Sequence, residues 1–310
     1  MKIAFLCPGQ SAQKAGMGSS FPEIDEYLAL ADRTLSFSLR ERMFEGPQEV
    51  LTETYHAQPA LLTVGAVIAD KLMPEGITPD FVAGHSLGEY TALVASGGLS
   101  YEDGVQTVYE RGRHMTEAVP KGQGAMAAVI GGERSMIEEV TAQITSEGYI
   151  VQPANMNSPG QIVISGTKEG IARAQEVLPT RGARRVIPLD VSGPFHSDLM
   201  KDAANSLQQT FEKMTWHPLR VPLVKNIDAS LSSSVEEVRE GLIEQLYSPV
   251  EWERSMQTLL DEGVTHFIEC GPGRVLKGLM RKIDRKAVVY TIEDETSFQE
   301  VIQQLKGEEE

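Results

Sequence analysis

The sequence predicts an α/β protein in two parts, a large domain on a mostly parallel sheet and a smaller domain inserted into it. Three observations point there. Apolar runs of four to six residues alternate with longer stretches of helical periodicity, the pattern of strands joined by crossover helices. Three of these runs end in glycine-bearing turns, at Pro8-Gly9, Gly84 and Gly271-Pro272-Gly273, and ligand sites in open α/β sheets collect at such carboxyl ends. The middle of the chain has a different order, β-α-β-β-α-β.

The large-domain strands are placed at 3–7, 81–83, 266–270 and 287–291. In the middle, a strand at 125–130 leads to an amphipathic helix at 134–147. Strands at 150–154 and 161–165 follow, then a helix at 168–178 and a strand at 184–189. That order is ferredoxin-like. The small domain is therefore bounded at 124–191, between the two halves of the large one at 1–123 and 192–310. Gly122, Gly124 and Gly193 supply hinges. Ser232-Ser233-Ser234 reads as a loop and Glu308-Glu309-Glu310 as a frayed tail.

The 310 residues are 41% hydrophobic and 23% charged, ordinary values for a chain with a real core. No apolar run approaches the roughly 20 residues that span a bilayer, and the apolar start stops at Pro8-Gly9, too short for a signal segment. Cys7 and Cys270 are the only cysteines, so neither a disulfide framework nor a zinc site is expected, and the cytosol is the default compartment. Forty-four acidic residues against 28 basic ones give a net charge of −16. That argues against nucleic-acid binding, which needs clustered cations.

Gly84-His85-Ser86-Leu87-Gly88 fits G-x-S-x-G, the sharp turn that lifts a serine above a sheet. Its context fits too. An apolar strand precedes it, and a helical run at 89–95, ended by Gly97-Gly98, follows, as in a hydrolase-like large domain. A serine hydroxyl needs a base to become a nucleophile. Of six histidines, His85 adjoins the serine and is aimed elsewhere by the strand. His56, His114, His217 and His266 sit among ordinary neighbours. His196 lies in the irregular loop Ser192-Gly193-Pro194-Phe195-His196-Ser197, where the chain re-enters the large domain.

These motifs resemble those of the malonyl-CoA:acyl carrier protein transacylases and the polyketide synthase acyltransferase domains, in order over essentially the whole chain. Pro8-Gly9-Gln10 with Gly16-Met17-Gly18 is similar to the family's opening loop, and Gly84 to Glu89 to its nucleophile turn. Arg111-Gly112 with Met115 is similar to its arginine helix. Asn155-x-Asn157-Ser158-Pro159-Gly160-Gln161 is similar to its small-domain hairpin, and Phe195-His196-Ser197 to its histidine loop. Gln245-Leu246, Pro249-Val250-x-Trp252 and Glu269-x-Gly271-Pro272-Gly273 complete the set. One position departs. The family's opening loop reads Gly-Gln-Gly-Ser-Gln, but Ser11 stands at the second glycine, restricting φ beside an oxyanion donor.

The resemblance implies transfer of a malonyl group from malonyl-CoA to an acyl carrier protein through an acyl-Ser86 intermediate, with His196 as base. It implies oxyanion donors at the backbone N–H of Leu87 and Gln10. Gln245 would orient His196 through its backbone carbonyl, with Asp190 and Asp198 as rivals. Arg111 would hold the malonyl carboxylate, in a helix capped by Ser100 that turns Val105, Val108 and Met115 inward and packs closely at Gly112. Asn155, Asn157 and Phe195 join the substrate site, Phe195 matching the malonyl-selective branch. No cofactor or metal is implied, since malonyl-CoA is a substrate, and a monomer is the simplest state. The same reaction could load polyketide carriers, and an acyl hydrolase is a further alternative.

Both partners are acidic, so a basic patch is needed. Residues 274–286 carry six basic residues and one acid. Lys277, Arg281 and Arg285, with Arg274, recur at helical spacing. The stretch is either a carrier-protein docking stripe or a solvated helix face.

Overall fold

The computed structural model describes residues 1–309. Ten strands lie among them: β1 (Ile3–Cys7), β2 (Phe81–Gly84), β3 (Gly124–Ile130), β4 (Val151–Ser158), β5 (Gln161–Thr167), β6 (Arg185–Pro188), β7 (Leu223–Val224), β8 (Leu231–Ser232), β9 (His266–Cys270) and β10 (Val288–Ile292). They form two sheets, of order β10-β9-β1-β2-β7-β8 and β4-β5-β3-β6. The first is parallel from β10 to β7 and closes with antiparallel β8. All five residues of β1 are buried, as expected of a parallel strand covered on both faces. The second sheet is antiparallel throughout. With the helices Arg134–Ser146 and Lys168–Val177 it has the ferredoxin-like order expected of this stretch.

Two differences from the sequence reading concern strands. β7 and β8 have two residues each, too few to leave a periodic signal. Ser232, read as loop, ends β8, while Ser234 caps the next helix by accepting the Glu237 N–H. β4 runs to Ser158 rather than stopping at 154, through two register shifts against β5. The extension carries Asn155 and Asn157.

β4 is also stitched to the large sheet's side of the molecule. The Met156 N–H donates to the Val250 carbonyl and the Val250 N–H to the Ala154 carbonyl, both at 2.8 Å. Next to this bridge, Arg134 forks onto the carboxylate of Glu251 with two 2.8 Å bonds, and Glu251 is 5% exposed. A bidentate guanidinium–carboxylate pair fixes orientation as well as distance.

Candidate active site

The turn after β2 sets Ser86 at φ 53° and ψ −108°, ahead of the helix Leu87–Ala95. This strained backbone is held from below. The Ser86 N–H donates to Asn226 Oδ1 at 2.8 Å, and Asn226 Nδ2 donates to the Gly84 carbonyl at 2.7 Å. Glycine is required at 88 because a Cβ there would lie 2.0 Å from the Cys7 carbonyl oxygen. The serine is thus pressed against the end of β1 with its hydroxyl free to point upward.

His196 is brought to it by the loop after β6. Ser86 Oγ lies 2.8 Å from His196 Nε2, and His196 Nδ1 lies 2.7 Å from the Gln245 backbone carbonyl. A carbonyl can only accept, so Nδ1 carries the proton and Nε2 is the free acceptor facing the serine. His196 is 3% exposed. Burial first, and then the charge of Arg111, push its pKa down to about 3, so the ring is neutral. Asp190 and Asp198 are both exposed, and Asp198 pairs with Lys201 at 2.9 Å. Of the three candidate orienting groups, Gln245 is the one in contact.

Arg111 comes from the helix Tyr101–Glu117, capped by Ser100 as expected. A Cβ at Gly112 would lie 2.6 Å from Tyr55 Cα, so this turn packs directly on the neighbouring helix and carries Arg111 inward. Arg111 is 1% exposed. Nη1 donates to Gln58 Oε1 at 2.8 Å, and Nη2 to Gln245 Oε1 at 2.9 Å and Ser86 Oγ at 3.1 Å. The guanidinium also lies over the Tyr90 ring, 5.2 Å from its centroid. Burial lowers its pKa, and its Nε meets no acceptor of the protein. A buried cation without a carboxylate in contact is costly, so an anionic ligand placed here would relieve that cost.

Ser86, His196 and Arg111 line a cavity of about 150 Å³ with Gln10, Leu87 and Phe195. Its size suits a short acyl group. The backbone N–H groups of Gln10 and Leu87 donate to no acceptor among the described residues, leaving both available to an oxygen in the cavity. Ser11 keeps φ at 83°, the left-handed conformation that a glycine would adopt without strain. Asn155 lines the same cavity. Asn157 faces an adjoining cavity with Gln161 and Val275, where its Oδ1 accepts from His85 Nε2 at 2.7 Å. Its contact within the site is therefore with His85.

The basic stretch needs a correction. The helix Val275–Ile283 ends at Asp284, which turns extended at φ −138° and ψ 116°, and Arg274 precedes the first turn. Arg274 and Arg285 are therefore not on the helix with Lys277 and Arg281. Asp284 stops the run because its side chain accepts the Lys286 N–H instead. Arg281, Lys282 and Arg285 still share one surface groove of about 550 Å³, and Lys277, Arg281 and Arg285 are exposed.

Three residues of this network escaped the sequence reading as site residues: Gln58, Glu89 and Asn226. Glu89 carried a signal, being a lone acid in the apolar run 87–95. Gln58 likewise interrupts the buried helix Thr54–Leu72. Asn226 follows two-residue β7 and carried none.

Fold and site together are those of an acyl-transferring enzyme, and a family model described as "Acyl transferase domain" matches residues 4–306. The malonyl CoA-acyl carrier protein transacylase of Bacillus subtilis is 49% identical over 99% of this chain and 98% of its own length. The solved transacylase of that name from Coxiella burnetii superposes with a TM-score of 0.95 at 37% identity, covering 98% of each chain. A malonyl-transacylase solved with its type II polyketide acyl-carrier protein gives 0.95 at 37% identity, over 98% of this chain and all of that one. This chain belongs to the malonyl CoA-acyl carrier protein transacylase family.

Proposed function

We propose that the protein moves a malonyl group from malonyl-CoA to the phosphopantetheine thiol of an acyl carrier protein, in two half-reactions through malonyl-Ser86. Ser86 Oγ attacks the thioester carbonyl while His196 Nε2 takes its proton. The N–H groups of Gln10 and Leu87 stabilise the oxyanion, each worth about 3 kcal/mol. On collapse, the C–S bond breaks and His196 returns the proton to the departing thiol. The carrier thiol then repeats the sequence, with Ser86 as leaving group. Thioester is exchanged for thioester, so the chemistry balances without a cofactor. In this reading residues 1–123 and 192–310 form the catalytic domain and 124–191 the small one.

The observation that carries the acyl specificity is Arg111, fully buried within 3.1 Å of Ser86 Oγ. A malonyl carboxylate gives it a charged partner, whereas an acetyl group leaves it unpaired. That also weighs against an editing hydrolase, which should not require a carboxylate. Lys277, Arg281 and Arg285 serve as the carrier-facing surface. The relative solved with a polyketide carrier supports a second reading, the same reaction loading polyketide carriers.

Intact-protein mass spectrometry after mixing with malonyl-, methylmalonyl- or acetyl-CoA tests this directly. One malonyl adduct is expected on the wild type and none on Ser86→Ala. Arg111→Ala should lose malonyl labelling far more than acetyl labelling. An adduct that survives Ser86→Ala overturns the intermediate, and equal losses in Arg111→Ala overturn the specificity.

A further inference from the structure

Glu89 has no part in the reaction as described, yet it is 1% exposed and one hydrogen bond from Gln245. Its Oε2 accepts from Gln245 Nε2 at 2.7 Å and from the Asn226 N–H at 3.3 Å. The same Gln245 Nε2 donates to the Ser86 carbonyl at 3.0 Å, and Gln245 Oε1 accepts from Arg111. One side-chain amide therefore stands between a buried carboxyl and a buried guanidinium.

We propose that Glu89 is a positioning residue for acyl selectivity. It fixes the Gln245 amide so that its oxygen faces Arg111, and thereby holds the guanidinium at Ser86. The proposal rests on the reading of Arg111 as the partner of the acyl carboxylate.

The argument is one of donors and acceptors. If the amide turned over, its oxygen would face three acceptors, Glu89 Oε2, the Ser86 carbonyl and, at 3.4 Å, Asn226 Oδ1. Its NH₂ would face the Arg111 Nη2 donor. Every contact would become like against like. The Ser86 carbonyl and Asn226 Oδ1 are the longer contacts, at 3.0 and 3.4 Å, and Glu89, at 2.7 Å, supplies the stronger constraint. The arrangement survives a change in the charge of Glu89. Burial raises its pKa to about 8, opposed by the Gln245 and Asn226 hydrogen bonds and by the charges of Arg111 and Lys225. Its Oε1 is buried and meets no donor of the protein. When Glu89 is protonated, the proton sits on Oε1 and leaves Oε2 accepting.

The test compares Glu89→Met, which removes the acceptor, with Glu89→Gln, whose amide oxygen can still accept. Folding is checked by circular dichroism, and the readout is the ratio of Ser86 acylation rates with malonyl-CoA and acetyl-CoA. Loss of a buried hydrogen bond predicts a fall of about tenfold in that ratio for Glu89→Met. A smaller fall, of about threefold, is expected for Glu89→Gln. A ratio unchanged in both, or malonyl and acetyl rates falling by one common factor, overturns the proposal. Should Glu89→Met not fold, Glu89→Gln decides by the same ratio. A wild type with no preference for malonyl would instead overturn the reading of Arg111 on which the proposal rests.

Discussion

The cleft around Ser86 and the groove beside Arg281 both carry arginines, but water treats them oppositely. Arg111 is buried and committed to Gln58, Gln245 and Ser86. Arg281 and Arg285 are exposed and take no side-chain partner among the described residues. A desolvated charge interacts strongly and with little screening, so a shift of an ångström or a lost donor has a large effect. A solvated charge acts over the screening length, about 8 Å at physiological salt, where position matters less than number. Single substitutions should therefore be decisive in the cleft, and only combined ones should register in the groove.

The most severe test of that contrast lies at His196. His196→Ala should slow both half-reactions on the order of 10³-fold or more while leaving the fold intact. Asp190→Asn and Asp198→Asn should stay near wild type, as measured by acylation and transfer rates. A loss at either aspartate comparable to that at His196 would remove Gln245 from its orienting role. The substitution also has a pH signature. The folded pKa of about 3 lies below the ordinary histidine value of 6.5, so the unfolded chain binds the extra proton first. Stability from this group is present above about pH 6.5 and is lost as pH falls toward 3. Denaturant titrations of His196→Ala should show a shallower acid decline than those of the wild type.

A gentler test lies in the groove. Reversing Lys277, Arg281 and Arg285 to Glu together should slow carrier-dependent transfer about tenfold and flatten its salt dependence. Acylation from malonyl-CoA should be unchanged. A parallel loss with malonyl-CoA but not with malonyl-pantetheine would reassign these cations to coenzyme A phosphates. No change in any of these rates would make them a solvated face.

The smallest effect is expected at Ser11, on the rim of the cleft. Its φ of 83° costs a non-glycine residue roughly 1 kcal/mol. Ser11→Gly relieves that strain but frees the unfolded chain, so a stability change below about 1 kcal/mol is expected in denaturant titration. Destabilisation by several times that amount would show that the Ser11 side chain is structurally required.

Legibility in the sequence followed the same divide between local and assembled features. β1 was readable to the residue because a strand buried on both faces is an uninterrupted apolar run bounded by turn residues, and β9, despite Glu269, because the Gly271-Pro272-Gly273 turn ends it. Ser86 was readable because its turn is local, needing glycine within two positions. His196 was narrowed only by its loop, since it and Ser86, 110 positions apart, meet only through the fold. The residue resemblance, not spacing, singled out Gln245. Asn226 stayed hidden because a polar side chain satisfied by distant partners looks, in sequence, like any other polar residue. Arg285 was overread because periodicity continued through Asp284, where a side-chain hydrogen bond ends the helix.

The bridge between β4 and Val250, with the Arg134 fork on Glu251, bears on how such proteins can be recombined. A cassette cut at 124 and 191 looks clean along the chain, with glycines at both joints. In space it has a third seam, at 250–251. A graft confined to the cassette would leave the N–H and carbonyl of Val250 facing a foreign strand, and the buried Glu251 carboxylate with only the 3.9 Å contact of exposed Arg254. Loss of the close bidentate partner of a buried charge is destabilising. Chimaeras that carry residues 250–251 with the insert keep the seam closed, so the smallest exchangeable unit of this architecture is discontinuous in sequence.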